Sequence, residues 1–236
     1  MNTIPLVLLP GTLCDARVWH AQANALSSAR EVRVCELGDQ PAMHEEVAAL
    51  LKTLPPRFYL AGFSLGAIVA FEFVRQARER AAGLALVAST ARSDPAENQA
   101  RRRALLARAK RGELAGVLND ELLPFYFSPV CKQREVLSNL VVSMAESCAP
   151  RFGHHTRYAV ERPDSRPMLS SLKIPALILY GDDDGVIPFD RQTEMAEAMP
   201  HALFRGVPDC GHFVPLEAPD VCSQAMQDWM ELPLND

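Results

Sequence analysis

The strongest constraint on this chain is an alternation. Short, nearly continuous apolar runs are separated by segments whose apolar residues recur at helical spacing. The runs are 4–9 (IPLVLL, ended by Pro10-Gly11), 32–37 (VRVCEL), 58–63 (FYLAGF), 84–89 (LALVAS), 176–180 (ALILY, behind Pro175) and a weaker 202–207 (ALFRGV). Strands apolar on both sides belong in a parallel sheet covered on both faces. The helical segments are 15–27, 44–54, 65–78, 191–199 and 220–230; in 44–54, Val47, Leu50, Leu51 and Leu54 form an i, i+3, i+4, i+7 stripe. Strand–helix alternation implies right-handed βαβ crossovers. The expected fold class is α/β, a doubly wound and mostly parallel sheet of about six strands.

The alternation breaks once, between residues 92 and 166, where no strand is evident. Residues 101–111 read as a basic helix and 135–146 as an amphipathic one, while 121–130 (ELLPFYFSPV) is apolar and broken by Pro124 and Pro129. About 75 residues is more than a crossover needs. The expectation is a helical cap at 92–166, inserted between core segments 1–91 and 167–236. Asp164-Ser165-Arg166-Pro167 then reads as a helix start leading into the fifth strand.

Composition narrows the function classes. Hydrophobic residues make up 48% and charged residues 22% of 236, which excludes disordered, collagen-like and coiled-coil chains. A formal charge of −5 argues against a nucleic-acid binder. No apolar run approaches the ~18–20 residues that span a bilayer. The apolar stretch near Met1 lacks a basic flank, so a cytoplasmic protein is expected. Six cysteines (Cys14, Cys35, Cys131, Cys148, Cys210, Cys222) form no C-x-x-C pair and no zinc spacing, so free thiols are expected. Neither a P-loop nor a G-x-G-x-x-G motif is present, and no histidine–carboxylate cluster suggests a metal; no cofactor is expected.

Gly62-Phe63-Ser64-Leu65-Gly66 is G-x-S-x-G between a strand and a helix. In such a nucleophile elbow the serine occupies a strained turn, and flanking side chains would collide with neighbouring backbone. A serine hydroxyl needs a base, and the base needs an orienting carboxylate. Asp182, Asp183 and Asp184 follow the strand ALILY, at a carboxyl end where ligand sites gather. His212 follows Gly211 after the last strand; His20, His44, His154 and His155 read as surface or satisfied polar residues.

With these segments in view, the chain resembles the α/β-hydrolase superfamily over nearly its whole length. Within it, the small cap-bearing carboxylesterases of the pimeloyl-ester esterase kind are most alike. LLPGTLCDARVW, LAGFSLGAIVA, IPALILYGDDDGVIP and CGHFVPLEAPDVC carry the resemblance, in that order. It implies Ser64 as nucleophile, His212 as base and, from the spacing to Gly181 and Pro188, Asp184 as the acid. It also implies an oxyanion hole from the backbone N–H of Leu65 and, by position, of Thr12, with Leu13 as the fallback. The family's His-Gly-x loop is Pro10-Gly11-Thr12 here, and the threonine stands where the pimeloyl-ester esterase has tryptophan. The glycine-rich loop that relatives carry after the second strand is the short GDQPAMHEEV, expected to have no bearing on the chemistry.

The resemblance implies hydrolysis of carboxylic esters through an acyl-enzyme, without a cofactor. Thioester hydrolysis, C–C hydrolysis and acyl transfer use the same triad, and a non-catalytic ligand-binding protein on this fold is the rival of another class. Substrate choice belongs to the cap. Phe125, Tyr126 and Phe127 are candidates to line an acyl pocket, or else pack the cap onto the sheet. Residues 92–166 hold 13 basic and 9 acidic side chains, leaving 11 and 20 elsewhere. Arg101, Arg102, Arg103, Arg108, Lys110 and Arg111 concentrate the positive charge, as a solvated face or as a dock for an acidic substrate or carrier. Cys14 and Cys210, near the proposed chemistry, raise an expectation of sensitivity to thiol reagents.

Overall fold

The computed structural model describes residues 3–234. Six strands form one sheet: β1 (Leu6–Leu9), β2 (Val32–Val34), β3 (Phe58–Phe63), β4 (Ala81–Val87), β5 (Ala176–Gly181) and β6 (Leu203–Val207). Their order is β2-β1-β3-β4-β5-β6 and every neighbouring pair is parallel. The chain winds outward from β1 to β2, then returns to place β3 on the other side of β1. That reversal is a topological switch point, which opens a crevice at the carboxyl ends of β1 and β3.

Side-chain alternation builds the two covering layers. Leu6 and Leu8 face one layer, with α1 (His20–Leu26) and α8 (Pro219–Met230) contributing Leu26, Met226 and Trp229. Val7 and Leu9 face the other, packed by α2 (Met43–Leu51), α3 (Leu65–Ala77) and α7 (Phe189–Ala198) through Val47, Phe71, Val74 and Met195. Both faces are dry, which is why the central strands read as unbroken apolar runs.

Three edges differ from the sequence reading. The first helical segment opens as a single 3-10 turn, Ala16–Trp19, capped by Asp15, which accepts from the Arg17 amide at 3.0 Å. The second strand pairs only over Val32–Val34; after a bond from the Cys35 amide to Leu8 the chain leaves the sheet. The fourth starts earlier, at Ala81, and stops at Val87 because Ala88 takes a left-handed φ of 49°.

Between β4 and β5 no strand occurs among the described residues. Three main helices fill the gap: α4 (Ala96–Arg108), α5 (Arg134–Cys148) and α6 (Phe152–Glu161). α4 begins five residues before the expected helix, and α6 was not expected at all. The two ends of this insert are tied together. The Ser165 amide donates to the Ala91 carbonyl at 2.7 Å, and Arg162 donates to the Arg92 carbonyl at 2.8 Å. Arg162 also reaches Asp94 at 2.8 Å, with side chains 5% and 0% exposed. Arg92 and Arg166 both bind Glu194 on α7, anchoring the neck to the core. The helix beyond the neck, Arg166–Leu169, is short; Asp164 caps it by accepting from the Arg166 amide, while the Ser165 hydroxyl serves Arg75 instead. No helix among the described residues is long and apolar enough to cross a membrane.

Breaking a buried ion pair from one side leaves an uncompensated charge and costs about 3–5 kcal/mol. Asp94→Ala, which strips Arg162 of its carboxylate, is expected to lower Tm by roughly 6–20 °C in a domain of this size. Thermal unfolding followed by circular dichroism checks this; an unchanged Tm would show that the neck does not depend on the pair.

Candidate active site

The sheet ends β3 at a turn that only a particular sequence tolerates. Ser64 sits at φ 52°, ψ −110°, outside the regions an L-residue favours. A Cβ on Gly62 would lie 2.3 Å from the Ala67 amide nitrogen, and one on Gly66 would lie 2.2 Å from the Leu9 carbonyl oxygen. Both contacts are with backbone that the sheet and α3 hold in place, so no side chain fits at either position. The turn is fixed by the Ser64 amide donating to Val87 at 2.8 Å and by the Ser89 hydroxyl donating to the Ser64 carbonyl at 2.9 Å. α3 starts immediately afterwards, so its first N–H groups have no partner inside the helix.

Three loops from distant parts of the sequence meet this serine. His212 Nε2 is 3.0 Å from Ser64 Oγ, and His212 Nδ1 is 2.9 Å from Asp184 Oδ2. A carboxylate accepts, so Nδ1 carries the proton and Nε2 is left to accept from the serine hydroxyl. The other oxygen of Asp184 accepts from the amides of Val186 and Ile187 at 2.8 and 2.9 Å. These two bonds to Oδ1 orient the carboxylate with Oδ2 toward His212.

The neighbouring carboxylates have other work. Asp183 accepts from the Ser128 hydroxyl at 2.6 Å, and its amide donates to Cys210. The Asp182 amide donates to Val207 at the end of β6. Glu217, which the sequence did not single out, accepts from the amides of Ser128 and Gly211 at 3.0 and 2.9 Å. It thereby locks the loop before His212 against residues 126–128 of the insert. The His212 amide donates to the Tyr126 carbonyl at 2.8 Å, and the Tyr126 ring stacks on the imidazole at 6.0 Å.

The turn after β1 lies alongside: a Cβ on Gly11 would be 3.4 Å from Ser64 Cβ. Among the described residues neither the Thr12 nor the Leu65 amide has a protein acceptor, whereas the Leu13 amide donates to His155 Nδ1 at 3.1 Å. Thr12 and Leu65 both line the cavity that Ser64 faces, and the Leu13 amide is already engaged.

Ser64, Leu65, Thr12 and His212 line one cavity of about 250 Å³. Ile68, Leu122, Phe125, Tyr126, Phe152 and Ile187 supply apolar wall. Of the three aromatic candidates, Phe125 stands at the rim, 48% exposed, and Tyr126 lines the interior. Phe127 does not reach the cavity; it is buried against Phe213 at 5.6 Å between centroids. α4 adds a polar strip through Asn98, Arg101 and Arg102, above Leu105, at i, i+3, i+4 and i+7 on one face. The basic run is largely satisfied within the insert: Arg101 pairs with Glu121, Arg102 with Asp94, and Arg108 and Arg111 with Glu113.

A parallel sheet with a strained serine turn at its switch point, facing a histidine and a carboxylate, is the build of a hydrolytic enzyme, and comparison with known proteins agrees: the molecule is a hydrolase. Over residues 6–225 it matches the family model described as alpha/beta hydrolase family, and it belongs to that family. The pimeloyl-[acyl-carrier protein] methyl ester esterase of Aromatoleum aromaticum is 25% identical over 97% of this chain and 98% of that one. The dihydrolipoyllysine-residue acetyltransferase component of the acetoin cleaving system of Pseudomonas putida is 27% identical over 94% of this chain, which spans 62% of that relative's length. A solved thermophilic esterase from Thermogutta terrifontis, malate bound, superposes with a TM-score of 0.87 at 28% identity, over 97% of this chain and 90% of that one.

The expectation of thiol sensitivity is not met by the burial. Cys14 and Cys210 are buried, and desolvation pushes both thiols far above the range in which a thiolate forms. Cys148 and Cys222 are buried as well, leaving Cys35 and Cys131 half-buried. Titration of the native protein with a disulfide reagent is expected to modify at most Cys35 and Cys131 quickly, the other four reacting only after denaturation. Rapid modification of Cys14 or Cys210 in the folded protein would contradict this.

Proposed function

We propose that the protein is a serine esterase that cleaves carboxylic esters through an acyl-enzyme. The observation that carries this reading is the hydrogen-bond series from Ser64 Oγ to His212 Nε2 at 3.0 Å and from His212 Nδ1 to Asp184 Oδ2 at 2.9 Å. In the proposed reaction Ser64 Oγ attacks the ester carbonyl carbon while His212 takes its proton. Asp184 holds the Nδ1–H tautomer and stabilises the imidazolium that forms. The amides of Leu65 and Thr12 donate to the oxyanion of the tetrahedral intermediate. The intermediate collapses, the alkoxide takes the proton from His212, and the alcohol leaves. Water, deprotonated by His212, then attacks the acyl-enzyme and releases the acid and free Ser64.

Residues 92–166 act in this reading as a cap that sets the substrate over core segments 1–91 and 167–236, and the reaction is placed in the cytoplasm. The six unpaired cysteines support that compartment. The substrate is a small ester with an acidic far end, free or attached to an acidic carrier protein. The polar strip of α4 supports the first form. Arg102 spends Nε on Asp94, while Nη1 and Nη2 have no protein partner among the described residues. A guanidinium edge of that kind suits a carboxylate. The malate in the Thermogutta esterase is a dicarboxylate in a related fold. Arg103 and Lys110, without an ion-pair partner among the described residues, are what an acidic carrier would meet outside.

Initial rates on neutral esters and on half-esters of dicarboxylic acids, matched in acyl length, test the reading. Wild type is expected to prefer the half-esters, and Arg102→Ala to raise KM for them alone. Ser64→Ala is expected to lower kcat by about 10³-fold or more. Asp184→Asn is expected to lower it by about 10³–10⁴-fold through the wrong tautomer. Asp183→Asn, whose side chain serves Ser128, keeps most of the activity. Wild-type turnover by Ser64→Ala would overturn the assignment.

A further inference from the structure

The insert packs Leu118, Ala145, Cys148 and Phe152 on the Leu13 side chain and holds the backbone of the turn beside Ser64 through a buried histidine. His155, on α6, is 1% exposed and lines the cavity. Its two ring nitrogens have fixed partners of opposite kind. The Leu13 amide donates to Nδ1 at 3.1 Å, and Nε2 lies 2.9 Å from the Leu37 carbonyl oxygen. An amide N–H only donates, so Nδ1 is bare; a carbonyl only accepts, so Nε2 carries hydrogen. The partners thus require a neutral ring in the Nε2–H tautomer.

Leu13 is where the local backbone needs such a partner. The Cys14 amide donates to the Gly11 carbonyl at 3.2 Å, closing a four-residue turn with Thr12 and Leu13 at its centre. Leu13 holds φ 56° at the third position, a conformation that turns normally give to glycine or asparagine. For leucine the turn with the central peptide rotated to negative φ is sterically easier. The N–H of that central peptide is the one that His155 accepts, so the bond holds the peptide in the harder orientation.

Nothing about α6 is loose. Arg151 pairs with Glu36 and Asp39, His154 contacts the Gly38 carbonyl at 2.7 Å, and Tyr158 donates to the Gln40 carbonyl. Gly38 stands at φ 97°, and a Cβ there would lie 2.9 Å from His155 Nε2. The short loop after β2, in which the sequence suggested no chemical role, is therefore shaped around this ring.

We infer that His155 is a positioning residue for the oxyanion turn: its bare Nδ1 fixes the Thr12–Leu13 peptide, and with it the place of the turn that carries the neighbouring Thr12 amide, through a helix clamped to the loop after β2. The inference rests on the reading of Thr12 as an oxyanion donor. It makes the chemistry depend on how the insert is docked, without any insert residue touching the reacting atoms in this role.

Isosteric variants separate positioning from packing. Asn places an acceptor oxygen where Nδ1 lies; Gln is the larger side chain and restores a donor toward Leu37 but no acceptor toward Leu13. His155→Asn is expected to keep kcat within about threefold of wild type. His155→Gln is expected to lose roughly 10–100-fold in kcat, with KM within about threefold, a fraction of the 10²–10³ that removal of an oxyanion donor costs. A trifluoromethyl ketone, which mimics the tetrahedral state, is expected to weaken in parallel with kcat. Equal activity of the two variants, or better activity of Gln, would overturn the inference. ¹⁵N–¹H correlation of the wild-type imidazoles supplies a readout that does not depend on a variant folding: the Nε2–H tautomer is expected for His155, and Nδ1–H would overturn the inference. Ser64→Ala run alongside separates the two claims. If it is active, the esterase reading fails; if it is inactive while His155→Gln turns over normally, only the role of His155 fails.

Discussion

The structure depends on the close approach of α3 to the end of β1. Gly66 passes so near the Leu9 carbonyl oxygen that a Cβ would sit 2.2 Å from it. That approach brings the N-terminus of α3 over the switch point between β1 and β3 and forces Ser64 to φ 52°. A non-glycine residue held there costs on the order of 1–3 kcal/mol and persists only where its surroundings over-determine it. The surroundings are the fully buried β3 and β4, the amide bond from Ser64 to Val87, and the hydroxyl of Ser89. The strain and its compensation lie where β3 and β4 are buried along their whole length, so the proposed nucleophile is held on a fully packed part of the sheet.

Around that point the loops are interlocked rather than merely adjacent. Asp183 bonds to Cys210 and Ser128, Glu217 bonds to Ser128 and Gly211, and the Tyr126 carbonyl takes the His212 amide. Residues 126–128 come from the insert, so the loop that carries His212 is completed by it. His155 makes a second connection of the same sort on the opposite side, to the turn after β1. The insert therefore touches both the proposed base and the proposed oxyanion turn, in addition to lining the cavity.

Much of this was legible in the sequence because it follows from burial. β1, β3, β4 and β5 are covered on both faces and read as apolar runs; the turn at Ser64 declares itself through two glycines that no other residue replaces. His212 was legible from its place after the last strand. The choice among Asp182, Asp183 and Asp184 was not legible from residue type, since it depends on partners at Ser128, Val186 and His212, and only the family resemblance pointed to Asp184. α6 was hidden for a physical reason. Its buried face includes Thr156 and also His155 and Tyr158, whose ring and hydroxyl atoms are satisfied by backbone more than a hundred residues away, so it carries no plain apolar stripe. The basic run 101–111 looked like an outward face, yet four of its six cations are held by carboxylates of the insert itself.

The central claim is that this geometry makes Ser64 a nucleophile activated by His212. Reaction with a fluorophosphonate probe followed by peptide mapping addresses it most directly. The account predicts one phosphonyl group per chain, on Ser64, formed in proportion to the loss of esterase activity and absent from His212→Ala. A protein that takes up no label, or takes it up elsewhere with Ser64 unmodified, would contradict it.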